Sequence, residues 1–215
     1  MKQQDAWADK FGDAYLERNC YTTQSMDTLW LEKFGTTRTE LNKAFLLDNQ
    51  YIDARARILE VGCSSGTQLA LLQELGFRNL YGIDVNRSAI SYGQRARMGL
   101  NLILGSALDI PFKDNFFDLV FTSGVLIHIP PAVLPLTLSE IYRCTSNYIW
   151  GYEYFADEPV AVNYRGHQEM LWKQDFCGAY RERFPRLQIV KWKRLSEGEG
   201  LESEMFLLRK EEPGE

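Results

Sequence analysis

From Ile58 onward, short apolar runs of strand length alternate with segments whose apolar residues recur every three or four positions. Such alternation predicts a parallel sheet covered by helices. Arg57 to Val61 reads as a first buried strand, and Thr67 to Leu75 as a helix with Leu69, Leu72 and Leu75 on one stripe, stopped by Gly76. Asn79 to Ile83 is a second strand, Asn86 caps a helix running to about Met98, Leu100 to Leu104 is a third strand and Phe116 to Thr122 a fourth. Pro131 starts a helix through Arg143, Tyr148 to Glu153 makes a fifth strand, and Leu171 to Phe184 a last helix. Leu187 to Arg194 and Glu204 to Arg209 alternate like antiparallel strands joined across the turn SEGEGLES. The expected fold is α/β and Rossmann-like: a mostly parallel seven-stranded sheet with a C-terminal antiparallel hairpin. Residues 1–56 read as mostly helical, with Trp7, Phe11 and Tyr15 at every fourth position, and are expected to cap one end of the sheet within the same domain. The main domain then covers 57–210, and 211–215 reads as a disordered tail.

Composition narrows the classes. With 215 residues, 45% of them apolar and 25% charged, the chain can bury one full core, so one domain is expected. A formal charge of −5 lacks the positive field that draws proteins to phosphate backbones or anionic lipid, so neither nucleic acid nor a membrane is an expected partner. Cys20, Cys63, Cys144 and Cys177 are far apart, without C-x-x-C spacing, and suit neither a metal site nor a disulfide framework. The polar N-terminus and the lack of a long apolar run place the chain in the cytoplasm as an expectation.

The candidate chemistry begins with Ile58-Leu59-Glu60-Val61-Gly62-Cys63-Ser64-Ser65-Gly66, a strand, a tight turn and a helix start in succession. Glycine there permits unusual dihedrals and close ligand approach, and free N–H groups at the helix start can hold an anion. In the dinucleotide spacing G-x-G-x-x-G, Ser64 and Thr67 stand at the second and third glycine positions, which disfavours a pyrophosphate. Asp84 closes the second strand where Rossmann-like folds bind ribose hydroxyls, although helix capping explains a carboxylate there as well. Gly105-Ser106-Ala107 offers small residues to an adenine ring, with Leu108 to cover it. The cofactor set is therefore Glu60, Gly62, Cys63, Ser64, Gly66, Asp84, Val85, Ser106, Ala107, Leu108 and Ser123, and its order favours S-adenosylmethionine over a nicotinamide cofactor.

On these residues and on FGDAYLERN (11–19), FGTTRTELN (34–42), ILEVGCSSG (58–66), GSALDIPFKDNFFDLVFTSGVLIHI (105–129), SEIYRC (139–144) and NYRGHQEMLWKQDF (163–176), the chain resembles the methylase family associated with pseudaminic acid biosynthesis. The resemblance covers nearly the whole chain; where the family's turn has a glycine, this chain has Ser64. It implies a class I S-adenosylmethionine-dependent methyltransferase acting on a surface-sugar precursor, a nonulosonic acid or its nucleotide-activated form.

Methyl transfer from a sulfonium needs alignment and water exclusion, and a general base only when the acceptor must lose a proton. His128, in SGVLIHIPP, and His167, in a loop after the fifth strand, are candidate bases, and Glu153 is a third; loop anchoring or helix capping is the plainer role for His128 and Glu153. Arg165 suits bidentate pairing with an acceptor carboxylate or phosphate, with Tyr154 and Tyr164 beside it, a surface ion pair being the alternative. Tyr15, Arg18 and Arg38 are expected to close over the cofactor as a lid, while Trp150, Trp172 and Trp192 read as core or rim aromatics. The expected acceptor is small and anionic. A non-catalytic partner protein retaining the cofactor fold is the main alternative, and a nicotinamide-dependent oxidoreductase a weaker one.

Overall fold

The computed structural model describes residues 2–48, 51–196 and 201–211, so residues 197–200 of the SEGEGLES turn and 212–215 of the expected tail lie outside the described residues. The chain forms two compact units, Met1–Ala107 and Leu108–Glu215.

The first unit opens with four helices, α1 (Lys2–Ala8), α2 (Lys10–Asn19), α3 (Thr23–Phe34) and α4 (Arg38–Leu46). Thr22 and Thr37 start the last two with reciprocal capping boxes, so the orphan N–H groups of each first turn are met locally. For α4, the Thr37 hydroxyl accepts from Glu40 N at 3.0 Å and the Glu40 carboxylate accepts from Thr37 N at 2.9 Å. The expected aromatic ladder is present: Trp7 meets Phe11 and Tyr15 edge-on, with centroids 4.9 and 5.4 Å apart. Then come β1 (Arg57–Val61), α5 (Thr67–Glu74), β2 (Asn79–Asp84), α6 (Arg87–Ala96) and β3 (Asn101–Leu104). These strands pair in parallel, in the order β3-β2-β1. Ile58, Leu59, Val61, Leu80, Ile83 and Leu102 are buried along them, whereas Ile103 and Leu104 of β3 are exposed.

The second unit contains β4 (Phe117–Ser123), a 3-10 turn (Leu126–His128), α7 (Leu134–Cys144), β5 (Thr145–Tyr154), β6 (Val160–Tyr164), β7 (His167–Lys173), α8 (Phe176–Arg183), β8 (Leu187–Ser196) and β9 (Glu202–Lys210). Strand β4 pairs with β5 in parallel, while β5–β9 and β8–β9 are antiparallel. The strand order β3-β2-β1-β4-β5-β9-β8 is the mostly parallel seven-stranded, Rossmann-like sheet with its antiparallel C-terminal hairpin that the apolar pattern predicts. Among the described residues, no helix is long and apolar enough to cross a membrane.

Two expectations fail here. The helix assigned from Pro131 begins at Leu134, because residues from Pro130 form a turn in which the Pro130 carbonyl accepts from both Val133 N and Leu134 N. The helix assigned to Leu171 to Phe184 is two elements. Its first part lies in β7, which pairs with β6 in a separate two-stranded sheet, and the helix begins only at Phe176, after Asp175 caps it by accepting from Gly178 N at 2.6 Å. The NYRGH segment is therefore a hairpin tip, with Tyr164 paired to His167 across Arg165 and Gly166.

Candidate functional site

The Gly62 to Gly66 turn follows β1 with three left-handed residues, Gly62 (φ 74), Ser64 (φ 47) and Gly66 (φ 78). A seryl Cβ in that region is strained by roughly 1 kcal/mol or more, and the surroundings hold it there: Gly62 N and Cys63 N both donate to the Ile83 carbonyl, at 2.8 and 2.9 Å. The Ser64 N–H donates to Asp84 Oδ2 at 2.7 Å. The Cys63 side chain is buried under the turn, and a Cβ on Gly82 would lie 2.7 Å from its sulfur, so glycine at 82 makes the room.

Asp84 gathers backbone donors. Besides Ser64 N, it accepts from Asn86 N at 2.8 Å and from Val85 N, while burial raises its pKa above the ordinary carboxylate range. The carboxylate thus ties the glycine turn to the start of α6, and each oxygen keeps further lone-pair capacity for a hydroxyl donor. Glu60, 3% exposed, accepts from Leu69 N in the first turn of α5; burial pushes its pKa well up, opposed by the positive charges of Arg38 and Arg97. Among the described residues, no hydrogen-bond partner reaches its Oε2.

The N-terminal helices are pinned to this turn by two residues that sequence reasoning missed in that role. Asn86 caps α6 through Ala89 N at 2.7 Å and also donates to the Trp7 carbonyl and to Asp13 Oδ1, at 3.2 and 3.0 Å. Arg97 donates to the carbonyls of Ser65 and Tyr21 and to Thr67 Oγ1, at 2.8, 2.7 and 2.8 Å. Nothing in the local pattern of an exposed α6 terminus distinguishes this arginine from a solvated one. Arg38 departs from the lid expectation: it is fully buried on α4, its guanidinium 4.5 Å from the centre of the Trp30 ring. Tyr15 is half-buried in the aromatic ladder, and Arg18 is exposed. Ser106 and Ala107 are half-buried after β3, where Gly105 N donates to the Asp84 carbonyl at 3.1 Å.

In the second unit, the fully buried Glu153 reaches the 3-10 turn that carries His128: Oε1 accepts from Val125 N at 3.2 Å and Oε2 from Ile127 N at 3.4 Å. Its carboxylate thus caps the turn, the plainer of its two expected roles, and burial pushes its pKa to about 7. His128 Nδ1 lies 2.7 Å from the Met170 carbonyl of β7. A carbonyl only accepts, so Nδ1 carries the proton and the ring lone pair is on Nε2. Burial lowers the His128 pKa to about 4, keeping the ring neutral. The Tyr164 ring packs on it at 5.1 Å, and Arg165 lies 5.8 Å over Tyr164. His167 is exposed at the hairpin tip, and Leu108, Ser123 and Tyr154 are half-buried. The structure thus brings His128, Glu153 and Tyr164 into one neighbourhood, with Arg165 and His167 both exposed at the hairpin tip.

Residues 59–147 match the family described as a methyltransferase domain. A demethylmenaquinone methyltransferase of Symbiobacterium thermophilum is 35% identical over 94 residues, 40% of this chain and 37% of that protein. A 24-methylenesterol C-methyltransferase of Arabidopsis thaliana is 28% identical over 145 residues, 62% of this chain and 38% of that protein. The chain therefore spans well under half the length of these relatives. Among solved structures, an S-adenosylmethionine-dependent methyltransferase from Methanosarcina mazei superposes with a TM-score of 0.63 at 16% identity, covering 77% of this chain and 98% of that one. A toxoflavin-precursor N1-methyltransferase from Burkholderia thailandensis, solved with its acceptor and S-adenosylhomocysteine, gives 0.60 at 16% identity, over 74% and 72% of the two chains. These likenesses show the fold as the Rossmann-like class of these enzymes.

Proposed function

We propose that the protein is an S-adenosylmethionine-dependent methyltransferase whose acceptor is a small, anionic, sugar-derived molecule of nonulosonic acid or nucleotide-sugar type. The carrying observation is the match of residues 59–147 to the methyltransferase domain, laid over a turn whose left-handed residues, Asp84 carboxylate and unsatisfied Glu60 oxygen fit a nucleoside with an amino-acid end. When bound, the cofactor supplies an electrophilic methyl group on a sulfonium. The protein's own contribution is to hold, orient and deprotonate. Asp84 accepts ribose hydroxyls beside the N–H groups it already binds. His128, neutral and fixed with its proton on Nδ1, accepts the acceptor's hydroxyl proton on Nε2, and Glu153 fixes the turn that aims it. Arg165, over Tyr164 at the exposed hairpin tip without a carboxylate partner among the described residues, supports an anionic acceptor. The sugar class follows from the family resemblance, above all from NYRGHQEMLWKQDF (163–176), the segment that folds into this hairpin.

Calorimetric titration with S-adenosylhomocysteine tests the cofactor reading without knowledge of the acceptor. Micromolar binding, about 8 kcal/mol, that weakens sharply in Asp84→Ala is expected; no binding by the parent protein sinks the proposal. Arg165→Ala should leave that titration unchanged and raise the acceptor's KM. An unchanged KM removes the anionic part alone.

A further inference from the structure

Asn42 Oδ1 and Nδ2, Gln68 Oε1 and Glu60 Oε2, all in the first unit, are buried without a hydrogen-bond partner among the described residues. Asn42 is fully buried, Glu60 is 3% exposed and Gln68 9%. Asn42 follows Arg38 by one turn on the buried face of α4, which packs against α5. Gln68 lies in the first turn of α5 and precedes Leu69, whose N–H meets Glu60; the Arg38 charge in turn acts on Glu60. A buried donor or acceptor left unmade is costly, and side chains of Asn and Gln are rarely so placed unless something pairs with them.

The atoms also have a definite chemistry. Asn42 Oδ1, Gln68 Oε1 and Glu60 Oε2 are three acceptors, the number an ammonium group satisfies. Asn42 Nδ2 is a donor, and with the Arg38 guanidinium it suits a carboxylate. A group presenting ammonium and carboxylate on one carbon is an α-amino acid. We infer that Asn42 and Gln68, together with Glu60 and Arg38, form the seat for the amino-acid end of the cofactor, so that helix α4 is part of the cofactor site and not only its cover. The inference rests on the cofactor proposed above and assigns Asn42 and Gln68 a role that neither the motif nor the turn spacing suggests.

The test compares S-adenosylhomocysteine with 5′-methylthioadenosine, which keeps the nucleoside and sulfur but lacks the amino acid. Asn42→Leu removes the unsatisfied amide at similar volume. Its melting temperature should equal or exceed the parent's, S-adenosylhomocysteine should bind about tenfold more weakly, and 5′-methylthioadenosine should bind unchanged. Gln68→Met is the second variant, with the same expected split. Equal weakening of both ligands, or no weakening of S-adenosylhomocysteine in either variant, overturns the inference, as does a melting temperature that falls in both variants together with the loss of both ligands. If the parent protein binds neither compound, the cofactor reading itself has failed. If it binds both equally well, the cofactor stands and this seat does not.

Discussion

Glu153→Gln is the perturbation whose consequence the structure specifies most closely. The side chain is 0% exposed, and its carboxyl titrates near 7 instead of the ordinary 4.5, chiefly because burial disfavours the charge. The folded protein therefore holds this proton more tightly than the unfolded chain. The stability it contributes is full below the unfolded pKa and is lost as pH rises through the folded one. Integrated over the two titrations, the loss from this group alone is about 2.5 kcal/mol between about pH 5 and about pH 8. Glutamine resembles the protonated acid, with one acceptor for the N–H groups of Val125 and Ile127, so the variant should match the parent near pH 5 and exceed it by about that amount near pH 8. Other groups titrate in the same range. His128, lowered to about 4, loses stability as pH falls below its ordinary 6.5, and Glu204, directly opposite Glu153 across β5 and β9, is raised to about 7 in the same way. Both remain in the variant and cancel to first order when the two proteins are compared at each pH. Urea unfolding followed by tryptophan fluorescence at a series of pH values gives the difference directly. A difference that stays constant from acid to alkaline pH would refute the assignment of a buried, proton-holding Glu153.

Two further predictions concern the glycine turn. Arg97→Ala removes three hydrogen bonds that join Ser65, Thr67 and Tyr21; at about 1.5–3 kcal/mol for charge-assisted bonds, less the share already screened by solvent, the net loss should be about 2–4 kcal/mol. Hydrogen exchange should show that loss as reduced protection in α2 and α3, and unchanged protection there would contradict the stapling role. Ser64, at φ 47, should tolerate glycine with a change within about 1 kcal/mol, because relieved strain and added unfolded-state entropy oppose each other. Ser64→Val should cost more than that, since a β-branched residue at positive φ is a true outlier; equal melting temperatures for the two variants would show that the turn relaxes.

The stretch from β1 to β4 was legible because short, mostly apolar runs of strand length alternate with helical segments and are bounded by Gly62, Gly76 and the Asn86 cap. The hairpin of β6 and β7 was not. Its tip, Arg165-Gly166, puts an arginine at φ 52 where a two-residue turn usually signals itself with asparagine or aspartate, and Leu171 and Trp172 fall close enough to Phe176 and Cys177 to mimic a helical stripe. The alternation in VAVNY (160–164) was the available sign. Within the candidate site, the glycine turn and the acids at the strand ends were visible because they follow strands in sequence. Arg97 was not, because its meaning depends on contacts with Ser65 and Tyr21 across long stretches of chain.

Only part of what the acids do in the structure was visible in the sequence. Asp84, Glu60, Glu153 and Glu204 each end up accepting backbone N–H groups from a neighbouring turn or helix start: Ser64 and Asn86 for Asp84, Leu69 for Glu60, Val125 and Ile127 for Glu153, Phe176 and Cys177 for Glu204. The cause is topological. In an α/β fold, strand ends abut helix starts, so a carboxylate meets several orphan donors before it meets any ligand. The acids then differ in how far these local donors engage them. Glu204 spends its second oxygen on the Trp192 indole, 3.1 Å away, and Glu153 has both oxygens engaged on the same turn, whereas Glu60 keeps an oxygen unsatisfied. Glu60 thus keeps hydrogen-bonding capacity that its own turn does not use, while Glu153 and Glu204 hold the second unit's helix starts and the His128 turn in place.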